Sequence, residues 1–202
     1  MCQPWRTQPA SFPAGVGNRC TETSYPPCKF TLMNYFELFE IPVQLKVDKN
    51  SISQKFYELS RKHHPDYFVN EREAVQAEAL ERSSQLNKAF KTLQSTDETI
   101  KYVLQWKGLL EEEEKYQLPP GFLMEVLEIN EQLMDAENGS GLQPDLQPKI
   151  EDLQSEIYEP VKEIVEHYRE GATTEEELLQ VKEYYYKKKY LDRIKQQLQA
   201  KS

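Results

Sequence analysis

Residues 61–68 read RKHHPDYF, and the turn they force decides the fold. The stretch before them carries a helical stripe. Ile52, Phe56, Leu59 and His63 recur at steps of three and four residues, which places them on one helix face, and Asp48 or Asn50 supplies the N-terminal cap. Pro65 cannot continue that helix: its ring pushes the preceding residue out of the α region, and it has no N–H to donate. A loop over 65–70 follows. A longer helix then spans 71–94, with Ala79, Ser83, Leu86, Phe90 and Leu93 in line. Two apolar stripes joined by a short loop make an antiparallel hairpin, with His64, Pro65 and Asp66 at its mouth.

Outward from the hairpin the helical pattern continues. A short aromatic helix over 34–40 holds Tyr35, Phe36, Leu38 and Phe39 and stops before Pro42. Another spans 97–107 with Ile100, Tyr102, Val103, Leu104 and Trp106, and Gly108 ends it. The acidic run Glu111 to Glu114 and the pair Pro119 and Pro120 mark a stiff linker over 111–120. Three amphipathic helices are expected beyond it, at 121–137, 143–170 and 174–199. Asn138 to Gly141 and Gly171 separate them, and Thr173 or Thr174 with a Glu three residues on forms a capping box for the last. No alternation of strand type occurs. The expectation is an all-α protein: a hairpin domain over 33–110 with short flanking helices, and a three-helix bundle over 121–202. Residues 1–32, with Pro4, Pro9, Pro13, Pro26 and Pro27, have no helical period. They read as a disordered tail, as sequence upstream of a true start at Met33, or as a targeting segment whose prolines break the helix that a transit peptide needs.

Charge and cysteine usage narrow the function classes. The 202 residues carry a net charge of −9, and 119–202 alone holds 10 basic against 18 acidic residues. An acidic surface repels phosphate backbones, which argues against nucleic acid as a partner. No stretch is long and apolar enough to span a membrane. Cys2, Cys20 and Cys28 all lie in the first 28 residues without CxxC spacing, so neither a disulfide framework nor a zinc site is expected, and a reducing compartment fits. No cofactor is expected.

The arrangement of a short aromatic helix, a basic helix, His64-Pro65-Asp66 and a returning helix resembles the J domain. The resemblance narrows further. YFELFEIP at 35–42, HHPDYF at 63–68, LNKAFKTL at 86–93 and YVLQWKG at 102–108 are similar to HscB-type co-chaperones of iron–sulfur cluster assembly. So are FLMEVLEINEQL at 122–133 and KYLDRI at 189–194, which lie outside the J domain. The resemblance covers 33–200 and departs from many J domains at Tyr67, where they carry Lys.

The resemblance implies two partners. One is a DnaK/HscA-class ATPase chaperone, met by His64, Pro65 and Asp66, with Lys55, Arg61 and Lys62 steering toward an acidic surface. The other is a U-type iron–sulfur scaffold protein. Its patch would be Leu123, Met124, Leu127 and Tyr190, with Glu128, Glu131 and Asp135 as an acidic rim. The chain itself would not be an enzyme, and a bacterial cytoplasmic setting is expected, with the mitochondrial matrix as the alternative. Other readings stay open at this stage. Leu123, Met124 and Leu127 could instead fill the bundle core. A J protein with another client, or a metal-dependent hydrolase using His63, His64, Asp66 and His167, is the alternative function. His63, on the apolar stripe, reads as packing. Three consecutive tyrosines, Tyr184 to Tyr186, cannot all face one core and have no assigned role.

Overall fold

Side-chain caps set many of the helix boundaries in the computed structural model, which describes residues 34–137 and 146–201. Helix α1 (Tyr35–Leu38) opens at Asn34, whose Oδ1 accepts the Phe36 N–H at 3.2 Å. Helix α2 (Lys49–Lys62) opens at Asp48, whose carboxylate accepts the Asn50 and Ser51 N–H groups at 3.3 and 3.0 Å. Pro65–Phe68 form one 3-10 turn before α3 (Glu73–Leu93). Ser95 caps α4 (Thr96–Trp106). That helix closes at Gly108, with φ at +72°. The Gly108 N–H donates to the Gln105 carbonyl and the Leu109 N–H to the Leu104 carbonyl, both at 2.9 Å. A side chain at Gly108 would strain this left-handed closure. Helices α5 (Pro120–Glu137), α6 (Leu146–Tyr158), α7 (Lys162–Glu166) and α8 (Glu175–Lys201) complete the fold. All regular elements among the described residues are helical, as expected. The expected tail over 1–32, the Met33 start and the glycine-rich break at 138–141 lie outside the described residues.

One expectation is corrected. The helix expected over 143–170 is interrupted: α6 ends at Tyr158, Glu159–Val161 form a 3-10 turn, and α7 ends at Glu166. Pro160 supplies no N–H, so the α ladder cannot pass through it. The apolar stripe hides the break. Ile150, Leu153, Ile157, Val161, Val165 and Tyr168 keep steps of three and four residues, and all are buried. Thr174 is the capping residue of α8. Its hydroxyl accepts the Glu177 N–H at 3.3 Å, and the Glu177 carboxylate accepts the Thr174 N–H at 2.7 Å.

In the hairpin of α2 and α3, Ile52, Leu86, Ala89 and Leu93 are buried in the same cluster, and Phe56 is stacked on Phe90 at 4.0 Å. Tyr102 of α4 stacks on Tyr35 at 4.3 Å and accepts its backbone N–H at 3.1 Å, fixing α1. One apolar cluster runs without interruption from Phe36 to Ile194. Helix α8 packs against α4 as well as α5, α6 and α7. Its three consecutive tyrosines face three ways. Tyr184 is buried beside Tyr158 of α6, and Tyr185 packs against the core near Asp97 and Glu98 of α4. Tyr186 stacks on Tyr116 of the linker at 4.5 Å.

Lysine–carboxylate pairs clasp the N-terminal elements to the C-terminal ones. Lys188 of α8 donates to Asp97 of α4 at 2.6 Å, and Lys182 to Glu114 of the linker at 2.6 Å. Lys46 donates to Glu166 at 2.8 Å and Lys107 to Glu170 at 2.9 Å. The hydrogen bond from Lys182 holds the Glu114 carboxyl below its ordinary value. Burial pushes the Tyr184 hydroxyl well above its ordinary value, and pushes Tyr186 up to about 12.

These shifts give the stability two pH limits. A carboxyl whose folded pKa is depressed contributes fully above its unfolded value and loses that contribution as pH falls through the folded one. A phenol whose folded pKa is raised contributes fully below its unfolded value and loses that contribution as pH rises. The melting temperature should therefore be level between the ordinary His value of 6.5, below which the lowered pKa of His63 resists the proton that the unfolded chain takes up, and the ordinary Tyr value of 10.0, and should fall beyond both, with Glu114 adding to the loss below the ordinary Glu value of 4.5. Circular dichroism melts across pH check this. Tyr184→Phe should push the alkaline limit upward.

Candidate functional site

The loop at the hairpin mouth is built by its own backbone. The His63 N–H donates to the Leu59 carbonyl at 3.0 Å, closing α2. His63 is half-buried, and burial lowers its imidazole pKa, with Arg82 and Lys62 adding to the effect. It packs, as the sequence suggests. His64 is extended (φ −66°, ψ 128°), as a residue before proline must be. Its Nδ1 accepts the Asp66 N–H at 3.3 Å, so in the neutral ring Nε2 carries the proton. Tyr67 lies edge-on to the His64 ring at 6.1 Å. The residue that replaces the usual cation thus buttresses the histidine. From α3, Gln76 Nε2 donates to the carbonyls of Val69 and Glu71, each at 2.9 Å, and ties the loop to its returning helix. The result is an Asp66 carboxylate fixed at its backbone, with its side chain 81% exposed.

Lys55, Arg61 and Lys62, the basic residues of α2 singled out from the sequence, separate into two kinds. Arg61 and Lys62 are exposed and form no ion pair among the described residues. Lys55 is committed elsewhere: its Nζ donates to the Phe39 and Glu40 carbonyls, both at 3.0 Å. Glu40 holds φ at +52°, a strained value for a residue with a side chain. Lys55 therefore fastens the turn after α1. Nothing in the period of α2 signals this, because the acceptors are backbone atoms distant in sequence.

Helix α5 has two faces. Phe122, Val126 and Ile129 are buried in the common core. Leu123, Met124 and Leu127 are 43%, 73% and 57% exposed. Of the two readings open from sequence, these three therefore form a surface row. Glu128 and Glu131 lie on the same exposed face, one turn on. Glu128 accepts from Lys149 Nζ of α6 at 2.8 Å, which holds its carboxyl below the ordinary value. The side chain of Asp135 lies outside the described residues. Tyr190 is half-buried against the core, one turn from Lys187, whose ammonium sits 5.7 Å above the Phe122 ring. It therefore lies on the side of α8 turned toward α5.

Among the described residues no group of three His, Cys, Asp or Glu could hold a metal ion. The ligands of the hydrolase alternative do not converge. His64 and Asp66 sit on the hairpin loop, whereas His167 follows α7 and pairs with Glu163 at 3.1 Å. Nor is any described helix long and apolar enough to cross a membrane.

Known proteins resemble this chain over most of its length. The family model for the HscB C-terminal oligomerisation domain matches residues 118–199. The co-chaperone protein HscB homolog of Photobacterium profundum is 30% identical over 148 residues, covering 73% of this chain and 80% of that one. The chain belongs to the HscB co-chaperone family. Other relatives of that name are matched over about three fifths of their own length. The solved chaperone HscB from Vibrio cholerae is 26% identical with a TM-score of 0.56, covering 82% of this chain and 99% of that one. Human co-chaperone HscB, at 22% identity and a TM-score of 0.67 over 95% and 94% of the two chains, has the same fold.

The two faces of α5 predict opposite responses to truncation. Ile129→Ala should cost about 2–5 kcal/mol, the usual range for a buried truncation. The combined Leu123→Ala, Met124→Ala and Leu127→Ala change should cost under ~1 kcal/mol, as surface substitutions do. Urea denaturation of the two variants measures the difference.

Proposed function

We propose that this HscB-family chain couples two proteins. Its hairpin loop engages a DnaK/HscA-class chaperone and stimulates that chaperone's ATP hydrolysis. The α5 face binds a U-type iron–sulfur scaffold protein and delivers it to the chaperone, assisting cluster assembly and transfer. The observation that carries this reading is the joint presence of two exposed, pre-formed surfaces on one continuous core: the Asp66 loop and the apolar row of α5.

Chemistry on the chaperone side needs only a conformational bias. Asp66 offers a directional, charge-assisted contact to an arginine. Pro65 and the Gln76 tether hold the loop, so little entropy is lost on docking. Arg61 and Lys62 steer the approach toward an acidic surface. Catalysis belongs to the chaperone, whose hydrolytic conformation is favoured by differential contact. On the scaffold side Leu123, Met124 and Leu127 are the anchors, Tyr190 borders them, and Glu128, Glu131 and Asp135 form the rim. A bacterial cytoplasmic setting, with the mitochondrial matrix as the alternative, goes with this reading.

His64→Gln and Asp66→Asn should each abolish stimulation in a single-turnover ATPase assay with the cognate chaperone, with helical content unchanged. Full stimulation by both variants would overturn the reading. Arg61→Ala with Lys62→Ala should weaken stimulation and flatten its decline with salt. Lys55→Ala should behave differently, lowering the melting temperature by several degrees because the carbonyls of Phe39 and Glu40 lose their donor.

A further inference from the structure

The exposed face of α5 does not end at Leu127. Met134 is 65% exposed, although its neighbour Leu133 packs against the core. At about 100° per residue, Leu123, Leu127 and Met134 fall within ~40° of one another around the helix, and Glu131 lies ~40° beyond Leu127. The apolar line from Leu123 to Met134 is about 16 Å long at 1.5 Å per residue. Glu128 lies on the far edge of the same face, toward α6, and there it is already partnered. Lys149 Nζ donates to its Oε1 at 2.8 Å, and Gln132 Nε2 donates to the same oxygen at 3.3 Å. Glu131 forms no ion pair or hydrogen bond among the described residues beyond its own helix.

We propose that the docking face of α5 runs on to Met134, and that Lys149 withholds Glu128 from the partner, so that the bound protein presents an elongated apolar ridge whose basic flank is met by Glu131. This rests on the scaffold reading above and refines it. Charge complementarity carries the assignment. An acidic edge beside an apolar line selects a ridge flanked by Lys or Arg. Such a cation meets an open carboxylate at Glu131, whereas at Glu128 it must displace an ammonium of its own sign. Met134 suits the end of the line because its unbranched, polarisable side chain adapts to the surface it meets.

Calorimetric titration of the full chain with the cognate U-type scaffold protein tests this. Met134→Ala should weaken binding about tenfold, the loss of one interface anchor, without moving the melting temperature. Glu131→Gln should weaken binding more than Glu128→Gln and reduce its salt dependence. Lys149→Gln should tighten binding by about threefold, which a purely structural ion pair would not do, and should make Glu128→Gln as costly as Glu131→Gln in that background. Wild-type affinity in Met134→Ala, or no tightening in Lys149→Gln, overturns this inference. The triple variant Leu123→Ala, Met124→Ala, Leu127→Ala separates the two levels. If it binds as tightly as the wild type, or if the wild type does not bind the scaffold, the scaffold reading itself falls. If it loses binding while Met134→Ala and Lys149→Gln are silent, only the inference drawn from Met134 and Lys149 falls.

Discussion

Tyr184, Tyr185 and Tyr186 are consecutive, so about 100° of helix rotation separates each ring from the next, and together they sweep more than half the circumference of α8. No single flanking helix can cover that arc. Tyr184 needs α6, Tyr185 needs α4 and Tyr186 needs the linker at Tyr116. A helix that is apolar on several sides has to be surrounded. This requirement draws the N-terminal hairpin unit and the C-terminal helices around one element, and it makes their cores a single cluster.

Charged pairs then refine the docking that the tyrosines demand. An exposed lysine–carboxylate pair is worth about 0–1 kcal/mol and could not hold two units together. Lys182–Glu114 is the least exposed of the four clasps and Lys46–Glu166 the most open at its lysine. Their spread matters more than their individual strength. Contacts at the loop before α2, at both ends of α4 and in the linker leave little freedom for rotation about α8. The loop bearing Asp66 and the outer face of α5 are therefore carried by one body, as the proposed coupling of two partners requires.

Both candidate surfaces are costly features kept on rigid elements. Leu123, Met124, Leu127 and Met134 expose apolar area on a helix whose opposite face is anchored by Phe122, Val126 and Ile129. A net charge of −9 opposes self-association through such a row. The Asp66 carboxylate keeps its hydration, because the Gln76 tether and the Tyr67 ring stiffen the loop without covering it. Pre-organisation of this kind lowers the entropy lost on docking and leaves the recognising groups free.

By itself the sequence determined what is local. Pro65, Asp48, Gly108 and Thr174 act through hydrogen bonds and backbone limits within four residues of themselves, so helix order, caps and the hairpin could be read directly. The motif His64-Pro65-Asp66 was legible for the same reason. Pro160 was equally local, yet its break was masked by an apolar stripe that keeps its spacing through a 3-10 turn. What only the tertiary structure decided is which face of an apolar helix is covered. Leu123 and Val126 are the same kind of residue three positions apart, and nothing within α5 says which is buried. Likewise Lys55 reads as a steering cation until Phe39 and Glu40 arrive beside it, and Glu128 as an open rim charge until Lys149 does. The reason is physical: burial and pairing depend on surfaces brought from distant parts of the chain, whereas caps and turns depend on the chain's own neighbours.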